Sequence, residues 1–191
     1  MKINVFGSTG IIGSKTLDII NHYFPSIKVN LLCSNRNVYK LIKQIEIHSP
    51  KYVYINDITK INFLKKNINK KINILTFDEL KSYLINSKSD LTVLAISGYK
   101  SLNYLEPILQ NTESLGLVSK ESIVSAGHLF KKFSTKIKNK IYPLDSEHFS
   151  ISQNINNTNL KIIKINLTAS GGPFLGKNYN SLKYISFSEA S

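Results

Sequence analysis

The sequence is poor in the residues that staple a protein or embed it in a membrane. A single cysteine, Cys33, occurs among 191 residues, so no intramolecular disulfide can form and no cysteine-based zinc site can be assembled. Apolar stretches such as Leu91 to Ile96 fall far short of the ~18 residues a membrane span requires. Met1-Lys2 leads directly into a strand-like run, with no secretory hydrophobic region. The expectation is a chain without membrane contact in a reducing cytoplasm, or in a plastid-type stroma if a targeting segment has been removed. No internal repeat is visible. Acidic residues are scarce too, 12 against 25 lysines and arginines, for a formal net charge of +13. That balance raises nucleic acid or an anionic ligand as partner. The lysines recur as Lys65-Lys66, Lys70-Lys71, Lys131-Lys132 and Lys136 to Lys140, beside Asn and Ile and without aromatic interleaving. AT-rich coding DNA produces the same texture, and nucleic acid is disfavoured as a partner.

What is present is apolar content of 42%, enough to bury one domain and begin another. Short β-branched runs alternate with segments of helical period, which predicts an α/β fold, a Rossmann-like doubly wound parallel sheet. Ile3 to Phe6 is the first strand, and Ser14 to Phe24 a helix with Leu17 and Ile20 on one face, ended by Pro25. Lys28 to Cys33 is a strand, and Val38, Leu41, Ile42 and Ile45 make a buried helical stripe that stops near Ser49-Pro50. Tyr52 to Ile55 gives a strand, Asp57 caps a helix with Ile61, Leu64 and Ile68 inward, and Ile72 to Leu75 gives another strand before a helix over Asp78 to Asn86. Leu91 to Ile96 reads as the central strand, buried on both faces. Helix Ser101 to Asn111, strand Leu115 to Val118, helix Ser122 to Phe133 and strand Ile141 to Leu144 follow. Beyond Asn154 the texture changes, with polar Asn156 to Asn159 leading into Lys161 to Leu167 and then Ser170-Gly171-Gly172-Pro173. The domains expected are 1–148 and 149–191.

Gly7-Ser8-Thr9-Gly10-Ile11-Ile12-Gly13 follows a strand and opens a helix, the context in which a glycine-rich turn binds phosphate through backbone N–H groups. Its spacing is G-x-x-G-x-x-G, one residue longer at the start than the usual dinucleotide form. NAD binders place an acid at the end of the second strand for the ribose hydroxyls. Here that position reads Ser34-Asn35-Arg36-Asn37, without an acid and with a guanidinium suited to a 2′-phosphate, so NADPH is favoured over NADH. Pro143-Leu144-Asp145-Ser146-Glu147-His148 stands just past a strand's carboxyl end, where open α/β sheets bind ligands. Its two carboxylates at i and i+2 suit an oxygen-loving cation such as Mg²⁺ or Mn²⁺.

Taken together, Gly7 to Gly13, Lys120-Glu121-Ser122, Asp145 to His148 and Ser170 to Phe174 resemble, in that order and over essentially the whole chain, the 1-deoxy-D-xylulose 5-phosphate reductoisomerases. The resemblance implies that Thr9, Gly10, Ile11 and Ile12 meet the NADPH phosphates in the turn framed by Gly7 and Gly13. Asn35, Arg36 and Asn37 would surround the 2′-phosphate ribose, and Ser119 and Glu121 would contact the cofactor. Lys120, Ser146 and Ser170 would bind the phosphorylated sugar, and Asp145 and Glu147 the metal, with Lys120 and Glu147 acting in catalysis. Position 119 is usually Asn in that family and Gly is common at 35, so one cofactor hydrogen bond is expected to be weaker and the 2′-phosphate pocket narrower. The resemblance also implies an incomplete α+β catalytic domain from 149. The family's histidine- and tryptophan-containing loop, and a later serine, asparagine, lysine and glutamate motif, would lie beyond Ser191. This chain alone is accordingly expected to bind NADPH without turnover, as part of a full-length homodimer. Two alternatives stay open: an NADP-dependent oxidoreductase of the semialdehyde dehydrogenase type, disfavoured because Cys33 sits beside the nucleotide turn, and a non-catalytic NADP-binding or basic nucleic-acid-binding module.

Overall fold

The structure, a computed structural model, describes residues 1–69, 71–134, 141–156, 164, 166 and 174–190. Among them β1 (Lys2–Phe6), β2 (Lys28–Ser34), β3 (Tyr52–Ile55), β4 (Asn73–Ile74), β5 (Ser89–Leu94), β6 (Thr112–Leu117) and β7 (Ile141–Pro143) form one sheet in the order β4-β3-β2-β1-β5-β6-β7. Every pairing is parallel. The chain winds outward from β1 to β4 and then returns to the other side of β1 with β5. That reversal places a topological switch at the carboxyl end of β1, where such sheets open a crevice.

Strand side chains alternate between the faces, and each face is covered by its own helices. Ile3, Val5, Leu32 and Val53 pack with Leu17 of α1 (Ile11–Tyr23), Leu41 and Ile45 of α2 (Val38–His48) and Leu64 of α3 (Ile61–Lys66). Phe6, Leu31, Leu94 and Leu115 pack with Leu80 and Leu84 of α4 (Phe77–Asn86), Leu105 and Ile108 of α5 (Leu102–Asn111) and Phe133 of α6 (Lys120–Ser134). Each fully buried Leu or Ile contributes about 1.5–3 kcal/mol of transfer free energy. The sheet is therefore doubly wound, as the alternating pattern predicts.

Differences from the sequence reading have local causes. α1 starts at Ile11, three residues earlier than expected, because extended Gly10 stands at its N-cap position and the helix begins directly after it. α4 starts at Phe77, where Thr76 and Glu79 form a reciprocal capping box. β5 runs from Ser89 to Leu94, shifted toward its polar end. The hydroxyls of Ser89, Thr92 and Thr112 hydrogen-bond one another at 3.0 and 3.1 Å, so they can be buried. α6 is kinked at Ala126, whose φ of −126° and ψ of 27° are not helical.

Met1–Asn154 and Ile155–Ser191 are separate compact units. Helix α7 (Ser146–Asn156) runs through residue 148, where the sequence reading ends its first domain. In the second unit, Asn178 caps a 3-10 helix over Tyr179–Tyr184. Most of Lys161 to Leu167, and the Ser170-Gly171-Gly172-Pro173 turn, lie outside the described residues.

One buried polar contact ties α4 to the sheet. The Tyr83 hydroxyl donates to Asn4 Oδ1 at 3.1 Å and accepts from Asn30 Nδ2 at 2.6 Å, and burial pushes the phenol up to about 12. Tyr83→Phe keeps the ring and leaves the Asn4 carbonyl, on a residue 1% exposed, without its donor. We expect a loss of about 1–3 kcal/mol, read as a lower urea midpoint at unchanged slope.

Candidate functional site

β1 must turn into α1 between Phe6 and Ile11, and two glycines make that possible. Gly7 has φ +69°, and a Cβ there would lie 2.3 Å from the Ala95 carbonyl oxygen at the exit of β5. Gly13, one turn into α1, would place a Cβ 2.3 Å from the Gly7 carbonyl oxygen. The turn is thus wedged between β5 and its own helix. The Ser8 N–H donates to the Cys33 carbonyl (2.9 Å), Gln44 Nε2 donates to the Ser8 carbonyl (2.7 Å), and the Thr9 and Ser34 hydroxyls meet at 2.9 Å. Gly10 spends its N–H on the Gly7 carbonyl and has no capping side chain. The N–H groups of Ile11, Ile12 and Gly13 consequently have no helical acceptor. They stand at the positive end of a 13-residue helix, an arrangement that holds anions.

Above this turn lies a cleft of about 680 Å³. Gly7, Thr9 and Gly10 line it, Ser34 to Asn37 form one rim, and Ala95 to Ser97 with Tyr99 and Lys100 form the other. Its described lining contains the cations Arg36 and Lys100 and no carboxylate. The Arg36 loop is braced from both sides. Asn37 accepts from the Lys40 N–H as the N-cap of α2, Asn35 Oδ1 accepts from Asn56 Nδ2 at 3.1 Å, and the Asn35 carbonyl accepts from the Asp57 N–H at 2.8 Å. Ile11 and Ile12 stand in the first turn of α1 outside the cleft lining, with Ile11 88% exposed. Their contribution to an anion is the backbone.

A second cluster gathers where α6 and α7 begin. Lys120 Nζ donates to Glu147 Oε1 at 2.7 Å, and Ser146 Oγ donates to Glu147 Oε2 at 3.0 Å. The Lys120 hydrogen bond, then Glu147's own amide and the Ser146 hydroxyl, hold the Glu147 carboxyl down to about 2; the same contact raises the Lys120 ammonium. Asp145, its side chain 10% exposed, accepts from both the His148 N–H (3.1 Å) and His148 Nδ1 (2.7 Å). Glu121 is held low by its own N–H, the Ser119 hydroxyl and the Gly98 N–H. Ser119 shares its proton between Glu121 Oε2 (2.9 Å) and the Gly98 carbonyl (3.2 Å). Gly98 belongs to the same loop as the far rim of the cleft, so this cluster and the cleft share a support. Among the described residues no three acidic, histidine or cysteine side chains converge on one point. Asp145 and Glu147 offer two hard oxygen donors, a set that fits a divalent cation completing its shell with water or substrate.

Of the residues singled out from the sequence, the structure brings Gly7, Thr9, Gly10, Asn35, Arg36 and Asn37 to one cleft and gathers Lys120, Asp145, Ser146 and Glu147 in the neighbouring cluster, where Ser119 and Glu121, expected to contact the cofactor, also stand, outside the cleft lining. Ser170 lies outside the described residues. The reading misses Lys100 and Tyr99, whose one signal is that they follow the turn after β5, the strand expected at the centre of the sheet but observed beside the central β1. It misses the contact of His148 with Asp145 as well, although i,i+3 spacing at a helix start permits it.

The chain matches the 1-deoxy-D-xylulose 5-phosphate reductoisomerase family over residues 3–127 and the C-terminal domain of that enzyme over residues 141–191. It is 38% identical over 193 residues to the 1-deoxy-D-xylulose 5-phosphate reductoisomerase of Pelagibacter ubique, covering 99% of this chain and 50% of that one. It is 34% identical over 190 residues to the enzyme of Thermoanaerobacter pseudethanolicus, with the same coverage. The Zymomonas mobilis enzyme in complex with NADPH superposes with a TM-score of 0.70 at 30% identity, covering 77% of this chain and 39% of that one. A reductoisomerase in complex with NADPH, fosmidomycin and magnesium superposes with a TM-score of 0.73 at 27% identity, over 100% of this chain and 50% of that one. The chain spans about half the length of the curated relatives it matches.

The ion pair at the α6–α7 junction yields a pH prediction. Glu147 titrates lower in the folded chain than its ordinary 4.5, so the stabilising contribution of the pair is complete above that value and is lost as pH falls toward about 2. Carboxyl ¹³C NMR should show the low titration in the unaltered chain and a return toward 4.5 in Lys120→Met; a Glu147 that titrates normally in both would contradict the pair.

Proposed function

Because the chain belongs to the 1-deoxy-D-xylulose 5-phosphate reductoisomerase family, we propose that it forms the nucleotide-binding part, and the beginning of the catalytic part, of an NADPH- and metal-dependent enzyme. That enzyme would convert 1-deoxy-D-xylulose 5-phosphate into 2-C-methyl-D-erythritol 4-phosphate in the non-mevalonate supply of isoprenoid precursors. The observation that carries this reading is one cleft in which an uncapped helix N-terminus faces a β2 exit bearing Arg36 and no acid. Arg36 is the sole arginine of the sequence, and its planar fork suits a 2′-phosphate better than a lysine would.

In this reading the N–H groups of Ile11, Ile12 and Gly13 hold the diphosphate, while Asn35, Arg36 and Asn37 enclose the phosphorylated ribose. Ser119 and Glu121, which hydrogen-bond to Gly98 of the far rim, support the cofactor from the start of α6. When bound, NADPH would supply the hydride, and a Mg²⁺ or Mn²⁺ ion on Asp145 and Glu147 would supply Lewis acidity for rearrangement of the sugar skeleton. Lys120 complements negative charge on substrate oxygens, and Ser146 and Ser170 bind the phosphorylated sugar. Domains at 1–148 and 149–191, a homodimeric full-length enzyme and a cytoplasmic location belong to the same proposal. Among the described residues no helix is long and apolar enough to cross a membrane. A semialdehyde dehydrogenase mechanism requires an accessible nucleophilic thiol, whereas Cys33 is buried in β2 and burial pushes its thiol well up.

Fluorescence titration of the purified chain tests the nucleotide assignment. NADPH should bind more tightly than NADH, and Arg36→Ala should weaken NADPH by about ten- to a hundredfold while leaving NADH nearly unchanged. Equal affinity for the two nucleotides in the unaltered chain would remove the basis for an NADP preference.

A further inference from the structure

The Gly7 turn lies against the Ala95 carbonyl, so the chain leaving β5 must form the wall of the cleft opposite the Arg36 loop. Gly98, with φ +73° and ψ −173°, holds a conformation that side-chain-bearing residues avoid. It redirects the backbone into a 3-10 turn over Tyr99–Ser101, and Tyr99 and Lys100 come to line the cleft. This turn is anchored from beneath. The fully buried Ser101 donates to the Gly98 carbonyl at 2.7 Å and therefore accepts from the buried Ser122 hydroxyl at 2.6 Å. Lys100 is thus presented by a fixed backbone, with only its own side chain free to adjust.

Charge separates the two cations of the cleft. The Asp57 carboxyl is held low first by its hydrogen bonds from Thr59 and then by the charges of Lys60 and Arg36, so part of the Arg36 field is offset by a neighbouring carboxylate. Lys100 makes no ion pair or side-chain hydrogen bond among the described residues, and no carboxylate is among the described lining of the cleft. A nucleotide carrying a 2′-phosphate brings that group's charge of about −1.5 to −2 in addition to its diphosphate, more than one partly offset guanidinium balances.

Resting on the nucleotide reading above, we propose that Lys100 is a second phosphate-binding residue of this cleft, acting across it from Arg36. The class of group it recognises is a phosphate of the dinucleotide, either the diphosphate or the 2′-phosphate, and a comparison of NADPH with NADH separates the two sources. Lysine acts here as a movable point charge, complementing the fixed fork of Arg36.

The test is titration of the full 191-residue chain and its variants with NADPH and with NADH at low and high salt. Lys100→Ala should weaken NADPH binding by about five- to tenfold, Lys100→Glu by more, and Lys100→Arg little. The loss should shrink at high salt. A loss confined to NADPH assigns the contact to the 2′-phosphate; an equal loss for both nucleotides assigns it to the diphosphate. NADPH affinity unchanged in both Lys100→Ala and Lys100→Glu overturns the proposal and leaves the nucleotide reading intact. Failure of the unaltered chain to bind NADPH overturns the nucleotide reading, and the role of Lys100 with it. Lys100 is exposed, so thermal melts of the variants should match the unaltered chain, which separates lost binding from lost folding.

Discussion

The approach of the Gly7 backbone to the Ala95 carbonyl organises the binding end of this molecule. Two strands that neighbour each other in the sheet, β1 and β5, release their chains in opposite directions, one toward α1 and the other toward α5. The gap between them becomes a site only if the first turn leaves no side chain in it. With a side chain at Gly7, the turn would have to move away from β5 by about an ångström or more, since a Cβ 2.3 Å from an oxygen is well inside van der Waals contact. The cleft would then lose its floor. The hydrogen bonds made with the Cys33 carbonyl, the Ser34 hydroxyl and the Gln44 amide fix the turn from the β2 and α2 side, so its position is determined from three directions.

Gly98 carries that organisation onward. Its carbonyl accepts from Ser101 and Ser119, and its N–H supports Glu121. A single residue thus ties the far rim of the cleft to the start of α6, where Lys120 reaches Glu147. The cleft and the carboxylate cluster are supported by the same turn, and a displacement of one would be felt at the other. Ser119 fills this role with one hydroxyl that donates to both Glu121 and the Gly98 carbonyl.

Periodicity made the layers legible. Leu17 and Ile20 in α1, and Leu41 and Ile45 in α2, face the sheet at helical spacing, and the β-branched run Tyr52–Ile55 is a strand to the residue. The glycine turn and Arg36 were legible because their chemistry depends on local order along the chain. What escaped the sequence depends on contacts between distant segments. Ser89 looks like a loop residue until Thr92 and Thr112 supply its hydroxyl with partners. Lys100 is one lysine among many until the fold sets it on a cleft wall. The Ala126 kink has no proline or glycine at the residue itself to announce it.

The two glycines of the turn also constrain how such a site can change over time. Gly13 needs the Gly7 carbonyl to stay where it is, and Gly7 needs the Ala95 carbonyl to stay where it is, so the positions form a chain of mutual exclusions that no single substitution relieves. Acceptable variation in this region is therefore displaced onto residues whose side chains point away from the wedge, such as Ile11, and onto the rims, where Asn35 and Lys100 stand. A turn built this way holds its backbone fixed by packing and leaves adjustment to its edges, one side chain at a time.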